Sequence, residues 1–361
     1  MDTSIVNKLS KYAKLFAEKK FIESGYIAVR EADGIAITVA KADLNAVKEE
    51  DVVFVNDKNI ESHEGNFRAA AVICFCAIRQ DKAAEAAAIV DSDAILKYSC
   101  KRKPLQPVLD GVAKLLGVTV KCASKNVAAE IVPALSGYRN ACFMPDAGAI
   151  VKARSLEELF RATEVLDKAC NAEILAEDKG GTQHINPINA LIEQTIYKMK
   201  TAKKVEAQTS DVEVKSEKSA DKANETEMAE SQEQGESVEV EEIKPQENEN
   251  QDANYCDITM KAVLQDGKVA ALCCPYFVGA AAAIGKPVVM TDEFKEQFGE
   301  EIACLPSKMI LSEKALAKYA EGASEVQIAA QHGALIVAGD EDEIAKKVEE
   351  LEKALQAYFA A

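Results

Sequence analysis

Hydrophobic positions along this chain fall into short apolar runs broken by glycine turns and into helical stripes, and one combination of the two occurs twice. The first copy is the run 141–151, turning at Pro145-Asp146-Ala147-Gly148, followed by an amphipathic stretch from Ser155 to Ala169. The second is 326–339, turning at Gln331-His332-Gly333, followed by Asp340 to Leu355. Each predicts a strand, a Gly-centred turn, a second strand and a helix. The helix opens on a cap residue, Ser155 or Asp340, with an acid three residues on, Glu158 or Glu343.

The pattern around these units predicts alternating strands and helices. Ser4–Lys19 puts Ile5, Leu9, Tyr12, Leu15 and Phe16 on one helical face. Strands follow at Tyr26–Arg30, Gly34–Val39 and Asp51–Asp57, then a buried helix over Phe67–Arg79 and a buried strand over Ala86–Val90. Leu105–Leu116 reads as a helix, Val118–Cys122 as a strand, and Ser124–Leu135 as a helix capped by Ser124. A last helix of this part spans Asn186–Met199 with Pro187 at its start. Beyond residue 254, Ile258–Leu264 reads as a helix end and Lys268–Cys273 as a strand. Pro275–Ile284 is an Ala-rich helix closed by Gly285, and Pro287–Met290 is a strand. Thr291 is expected to cap a helix over Asp292–Phe298, and Ser312 one over Glu313–Tyr319.

Composition divides the chain. Residues 203–252 hold sixteen Asp/Glu against six Lys and no aromatic residue. Such a stretch cannot bury enough apolar surface to offset chain entropy. The expected organisation is an α/β domain over 1–200, an acidic disordered linker over 201–253 and a further block over 254–361. As a flexible tether, about fifty residues would span roughly 40 Å. The linker is also the expected place for any protein partner.

A net charge of −17 argues against nucleic acid and against an anionic membrane as partner. No apolar run approaches the roughly 18–20 residues a membrane span needs, and no signal-peptide core is present. The ten cysteines sit mostly inside apolar runs such as Val72-Ile73-Cys74-Phe75-Cys76, without a C-x-x-C pair. They read as reduced, buried thiols, and the expected compartment is the cytoplasm.

In order and spacing these segments resemble the class II aldolase and adducin head-domain family. The residues that carry the likeness are Ser24–Arg30, Gly34–Thr38, Asp51–Val55, Ala88-Ile89-Val90-Asp91-Ser92-Asp93, Lys103-Pro104-Leu105 and Asp146–Val151. In the later block they are Val269–Tyr276, Gly285-Lys286-Pro287 and Gln331–Val337. The resemblance implies a three-layer α/β/α fold with a central mixed sheet, and a C-terminal partial repeat of the same fold. It also implies a homo-oligomer, commonly a tetramer.

Enzymes of that family break or form a carbon–carbon bond in a sugar phosphate. Three histidines, two from a His-x-His at a strand end and one from an Asn-His-Gly turn, hold a zinc ion that polarises the carbonyl. Here Asp91-Ser92-Asp93 stands at His-x-His and Ala147 at the turn. The position of the family's proton-moving glutamate falls in Ala69-Ala70-Ala71-Val72, and Gly25-Tyr26 replaces the Gly-Asn of the phosphate loop. In the later block Ala271-Leu272-Cys273 is set at His-x-His, and His332 is kept at the turn.

The vestigial pocket positions are therefore Gly25, Asp91, Asp93, Asp146, Ala147, Cys273 and His332. Cys273 and His332 are candidate zinc ligands, though two ligands without a third rarely hold the ion. Buried-thiol and turn-stabilising roles are the plain alternatives. The expectation is a catalytically degenerate assembly or binding module with no cofactor. The alternative is a metal-dependent sugar-phosphate aldolase with substituted zinc ligands.

Overall fold

In the computed structural model the described residues are 3–23, 25–39, 42–201, 258–308, 310 and 312–361. Residues Met1–Thr195 and Cys256–Ala361 form one compact unit. The second, Ile196–Tyr255, contributes only the end of one helix to the described residues. From residue 202 on, the expected acidic linker lies outside them.

The first sheet has seven strands in the order β3-β2-β1-β4-β7-β6-β5. They are β1 (Tyr26–Glu31), β2 (Gly34–Thr38), β3 (Val52–Asn56), β4 (Ala86–Val90), β5 (Lys121–Cys122), β6 (Ala141–Phe143) and β7 (Ala149–Ala153). Only β5 and β6 run parallel, so the sheet is mixed. Alternation sets its faces. Ala28, Ile35, Ile37, Ala87, Ile89 and Ile150 point to one side, where α2 (Gly65–Arg79) packs with α4 (Ala128–Ala134). The opposite side carries α1 (Thr3–Glu18), α3 (Asp93–Cys100) and α5 (Leu156–Leu175), which gives the three-layer α/β/α architecture. A helix over residues 187–201, α6, follows.

The second sheet has the order β12-β13-β14-β9-β8. Its strands are β8 (Ile258–Val263), β9 (Val269–Cys273), β12 (Cys304–Leu305), β13 (Val326–Ala329) and β14 (Gly333–Ala338). A two-stranded sheet pairs β10 (Val288–Val289) with β11 (Glu301–Ile302). The helices are α7 (Tyr276–Ile284), α8 (Lys295–Phe298), α9 (Glu313–Ala320) and α10 (Glu341–Ala360). Strand for strand, β8-β9-β14-β13-β12 repeats β1-β4-β7-β6-β5, including the single parallel pair at the far end. Here α7 stands for α3 and α10 for α5. The helical layers meet through α5 against α7.

The structure adds α3, β11 and β12, which the sequence reading did not name, and corrects four elements that it did. Ile258–Val263 is a strand, because Met260 and Ala262 alternate onto the second core and the run pairs with β9. The later block therefore keeps the counterpart of β1 and lacks only those of β2 and β3. Ser124 does not cap α4. Its hydroxyl goes to the Glu130 carboxylate at 2.8 Å, and the helix starts at Ala128 behind Val127. Of Leu105–Leu116 only the end is helical, as a wide π turn over Val112–Leu116, while Leu105 bridges Val120. The helix expected from Asp292 shrinks to Lys295–Phe298. Among the described residues no helix is long and apolar enough to cross a membrane.

Candidate functional site

One end of the first sheet gathers most of the candidate positions. The turn after β6 puts Asp146 at φ 58° and Gly148 at φ 86°. A Cβ on Gly148 would lie 2.1 Å from the Val90 carbonyl oxygen, so this turn presses directly against the end of β4. Gly25 makes the same kind of approach: its Cβ would lie 1.9 Å from the Ile89 carbonyl oxygen. Glycine at 25 thus answers to strand packing.

The side chains at these positions hold structure together. Asp91 Oδ1 accepts the Glu23 N–H at 2.7 Å, and the Asp91 N–H donates to the Phe21 carbonyl at 3.1 Å. Ser92 caps α3 by accepting the Ile95 N–H and donates its own hydroxyl to Asp167. Burial pushes the Asp167 carboxyl up from its ordinary value, and the Ser92 hydroxyl works against that rise. Asp93 lies exposed in the first turn of α3, where the helix dipole favours an acid. Asp146 pairs with Arg102, and Ala147 packs against the α2-side core.

Beside this end lies a cleft of about 480 Å³ between α2 and the start of α4. Its apolar lining is Ala69, Val72, Ile73, Val127 and Ala128, of which Ala69 and Val127 are exposed. Its polar lining is Glu61, His63, Glu64, Arg68 and Asn126, and Asn126 is tied to the Pro145 carbonyl at 2.8 Å. Ala69 and Val72 thus line the wall to which the resemblance assigns a proton-moving acid. Arg68 pairs with Glu61, while His63 is half-buried with its ring edge-on to Phe67.

In the later block the turn recurs with Gln331 at φ 68° and Gly333 at φ 118°. A Cβ on Gly333 would lie 2.0 Å from the Cys273 carbonyl oxygen. Cys273 faces Ala334 across the sheet as Val90 faces Ala149. Cys274 therefore occupies the place of Asp91, and Cys273 that of an ordinary buried strand residue. His332 stands at the place of Ala147, with Nε2 donating to the Lys308 carbonyl. Its Nδ1 lies 3.3 Å from Asp110 Oδ2 without hydrogen-bond alignment.

Around His332 the structure assembles charges from the first block that sequence reasoning missed. Asp110 is paired with Lys114. Burial works to raise the Asp110 carboxyl, but Lys114 and His332 outweigh it and hold the group well below the usual range. Burial likewise works to lower His332, and Asp110 overrides it, so the imidazole titrates above its ordinary value. Glu193 on α6 is pushed up to about 7 by burial, with Asp110 adding to the rise and Lys114 and His332 opposing it. The only local signal for this cluster is a charged pair at helical spacing inside an apolar run.

The donors do not fit a zinc ion held by three imidazoles. His63 lines the cleft, His184 Nε2 faces Glu173 at 3.2 Å, and His332 gives Nε2 to the Lys308 carbonyl with Nδ1 beside Asp110. Among the described residues no group of three or more His, Cys, Asp or Glu is arranged to hold a metal.

Compared with known proteins, residues 7–174 match the profile of the class II aldolase and adducin N-terminal domain. Similar solved structures include an L-fuculose 1-phosphate aldolase at 21% identity and TM-score 0.47, covering 55% of this chain and 98% of that one. The L-fuculose 1-phosphate aldolase from Glaciozyma antarctica is 17% identical with TM-score 0.45, over 53% and 81%. The enzyme of that name from Thermus thermophilus is 18% identical with TM-score 0.41, over 50% and 100%. No curated protein matches the chain.

Proposed function

Residues 7–174 belong to the class II aldolase and adducin N-terminal family, and on that premise we propose that this chain is a catalytically degenerate member serving as an assembly or binding module. The observation that carries the reading is the use of Asp91, Ser92, Asp146 and Ala147. Of the three ligand positions in the first block, Asp91 is taken up by a backbone amide and Ala147 by the core, while Asp93 lies exposed in the first turn of α3. The neighbouring Ser92 and Asp146 are taken up by a cap and an ion pair. Gly25, Asp91, Asp93, Asp146, Ala147 and His332 are on this reading the remains of two pockets, whereas Cys273 sits at the place of Val90 and Cys274 at that of Asp91.

The same proposal covers organisation. Residues 1–200 and 254–361 are two folding blocks joined by an acidic linker, and the assembled form is a homo-oligomer, as the family resemblance suggests. A reducing compartment, the cytoplasm, suits the free cysteines, of which Cys74, Cys142, Cys170 and Cys273 are buried. The test is turnover. Full-length protein incubated with sugar 1-phosphates and added zinc, manganese or cobalt should release no aldehyde. Metal-dependent cleavage abolished by His332→Ala would instead establish the aldolase with substituted ligands.

A further inference from the structure

The part of α6 that belongs to the compact unit, residues 187–195, is inside out. An amphipathic helix on a globular protein turns its apolar stripe to the core and its polar side to water. Here the buried positions are Ala190, Glu193 and Gln194, at 0%, 6% and 0% exposure, while Ile188, Leu191 and Ile192 are 69%, 38% and 41% exposed. Ala190 joins a small apolar cluster with Ala113 and Ile185. Gln194 donates to the Tyr138 carbonyl at 3.0 Å, but its Oε1 and Glu193 Oε2 are buried without a hydrogen-bond partner among the described residues. Both oxygens would be better satisfied in water, so the seat of this helix is poor.

Charge makes it poorer as the helix loses a proton. Glu193 faces Asp110 and Lys114 of the segment before Gly117, and His332 of the turn between β13 and β14. Lys114 is paired with Asp110 and has the Cys274 thiol on its other side. His332 gives Nε2 to the Lys308 carbonyl, with Nδ1 3.3 Å from Asp110 Oδ2. Arg139, next to Tyr138, is turned to the Ser136 carbonyl at 2.8 Å, and His184 to Glu173. On α6 itself the next charged residue is Lys198. Asp110 and Lys114 cancel each other, so an ionised Glu193 is left with His332 alone.

We propose that α6 is a pH-dependent latch, seated while Glu193 holds its proton and opening more often once that carboxyl ionises opposite Asp110. Opening carries Glu193 into water and uncovers Asp110, Lys114 and the His332 turn. Burial, with Asp110 adding to it, holds the carboxyl of the seated helix at about 7 against an ordinary 4.5. The proton's support for the seat is therefore complete below 4.5 and lost as pH rises from 4.5 through 7. Across that window the equilibrium should move toward the open helix by about tenfold per pH unit, then level off.

Amide hydrogen exchange on full-length protein tests this, with rates corrected for the intrinsic effect of pH. Residues 187–195 should exchange well ahead of β4 and β7, and their protection should fall about 100-fold between pH 5 and pH 7. In Glu193→Gln it should change less than about tenfold over the same range. If that variant does not fold, Glu193→Met, equally uncharged, takes its place. Wild-type protection that ignores pH, or an uncharged variant that loses as much as wild type, overturns the latch. Exchange of 187–195 in step with β4 and β7 overturns it too, because the helix would then leave only when the whole fold opens.

Discussion

Asp167 and Glu352 hold the starts of equivalent helices. Glu352 on α10 accepts the N–H groups of Phe277 and Val278 at 2.7 and 3.0 Å, covering the first turn of α7. Asp167 on α5 reaches the start of α3 through the Ser92 hydroxyl. Glu352 directly satisfies amides that a helix leaves unpaired at its N-terminus, whereas Asp167 acts through Ser92, whose hydroxyl oxygen accepts the Ile95 N–H. Glu352→Ala should lower unfolding free energy by about 1–2 kcal/mol in denaturant titration, and Glu352→Gln by less, since its amide oxygen still accepts.

Gly148 and Gly333 meet the same obstacle in the two blocks, a carbonyl oxygen 2.1 or 2.0 Å from where a Cβ would sit, each at positive φ. Gly148→Ala and Gly333→Ala should each cost about 2–4 kcal/mol, because backbone must move in a packed interior. A loss under about 1 kcal/mol at either site, measured by urea unfolding, would mean the turns are not held against the strand ends as described.

Much of this was legible in the chain because it is local. Ser155 and Asp340 accept the N–H groups of Glu158 and Glu343 at 3.1 and 2.8 Å, as the cap pattern predicts. The Glu158 and Glu343 carboxylates in turn accept the N–H groups of Arg154 and Gly339. The two Gly turns and the seven-stranded domain follow from the same short-range signals. What escaped depends on distant partners. β8 buries only Ala262 and needs β9 to be a strand. Asp110 meets His332 only when the blocks dock, and Ser124 loses its capping role to Glu130. The inward side of α6 could not be read either, because its apolar stripe points the other way.

Lys168 and Lys353 occupy matching positions on α5 and α10 but different surroundings. Lys168 is 9% exposed and donates to the Cys274 carbonyl at 2.9 Å, across the junction of the two sheets' helical layers. Lys353 is exposed. Lys168→Ala should destabilise by about 1–3 kcal/mol and Lys353→Ala by less than about 0.5. Equal effects in thermal melts would contradict the docking of the later block through α5 and α7.

Stability should fall as pH rises from about 4.5 into the neutral range. Glu193 has a folded value near 7 against an ordinary 4.5, so the folded state binds its proton more tightly and loses stability as pH climbs from 4.5 through 7. His332 is raised above 6.5, so its contribution is complete below 6.5 and lost as pH passes through its higher folded value. The two act in the same direction. Glu193→Gln should flatten the slope between pH 5 and 7 and add about 1–3 kcal/mol at pH 8. Asp110 acts at the other limit: held low in the fold, it stabilises above pH 4 and is lost on acidification.

Zinc per chain tests the central claim most directly. Full-length protein purified without chelator and dialysed against micromolar zinc should carry well under one equivalent by mass spectrometry of the metal, and His332→Ala and Cys273→Ser should not change that value. One zinc per chain, lost in either variant, would contradict the account.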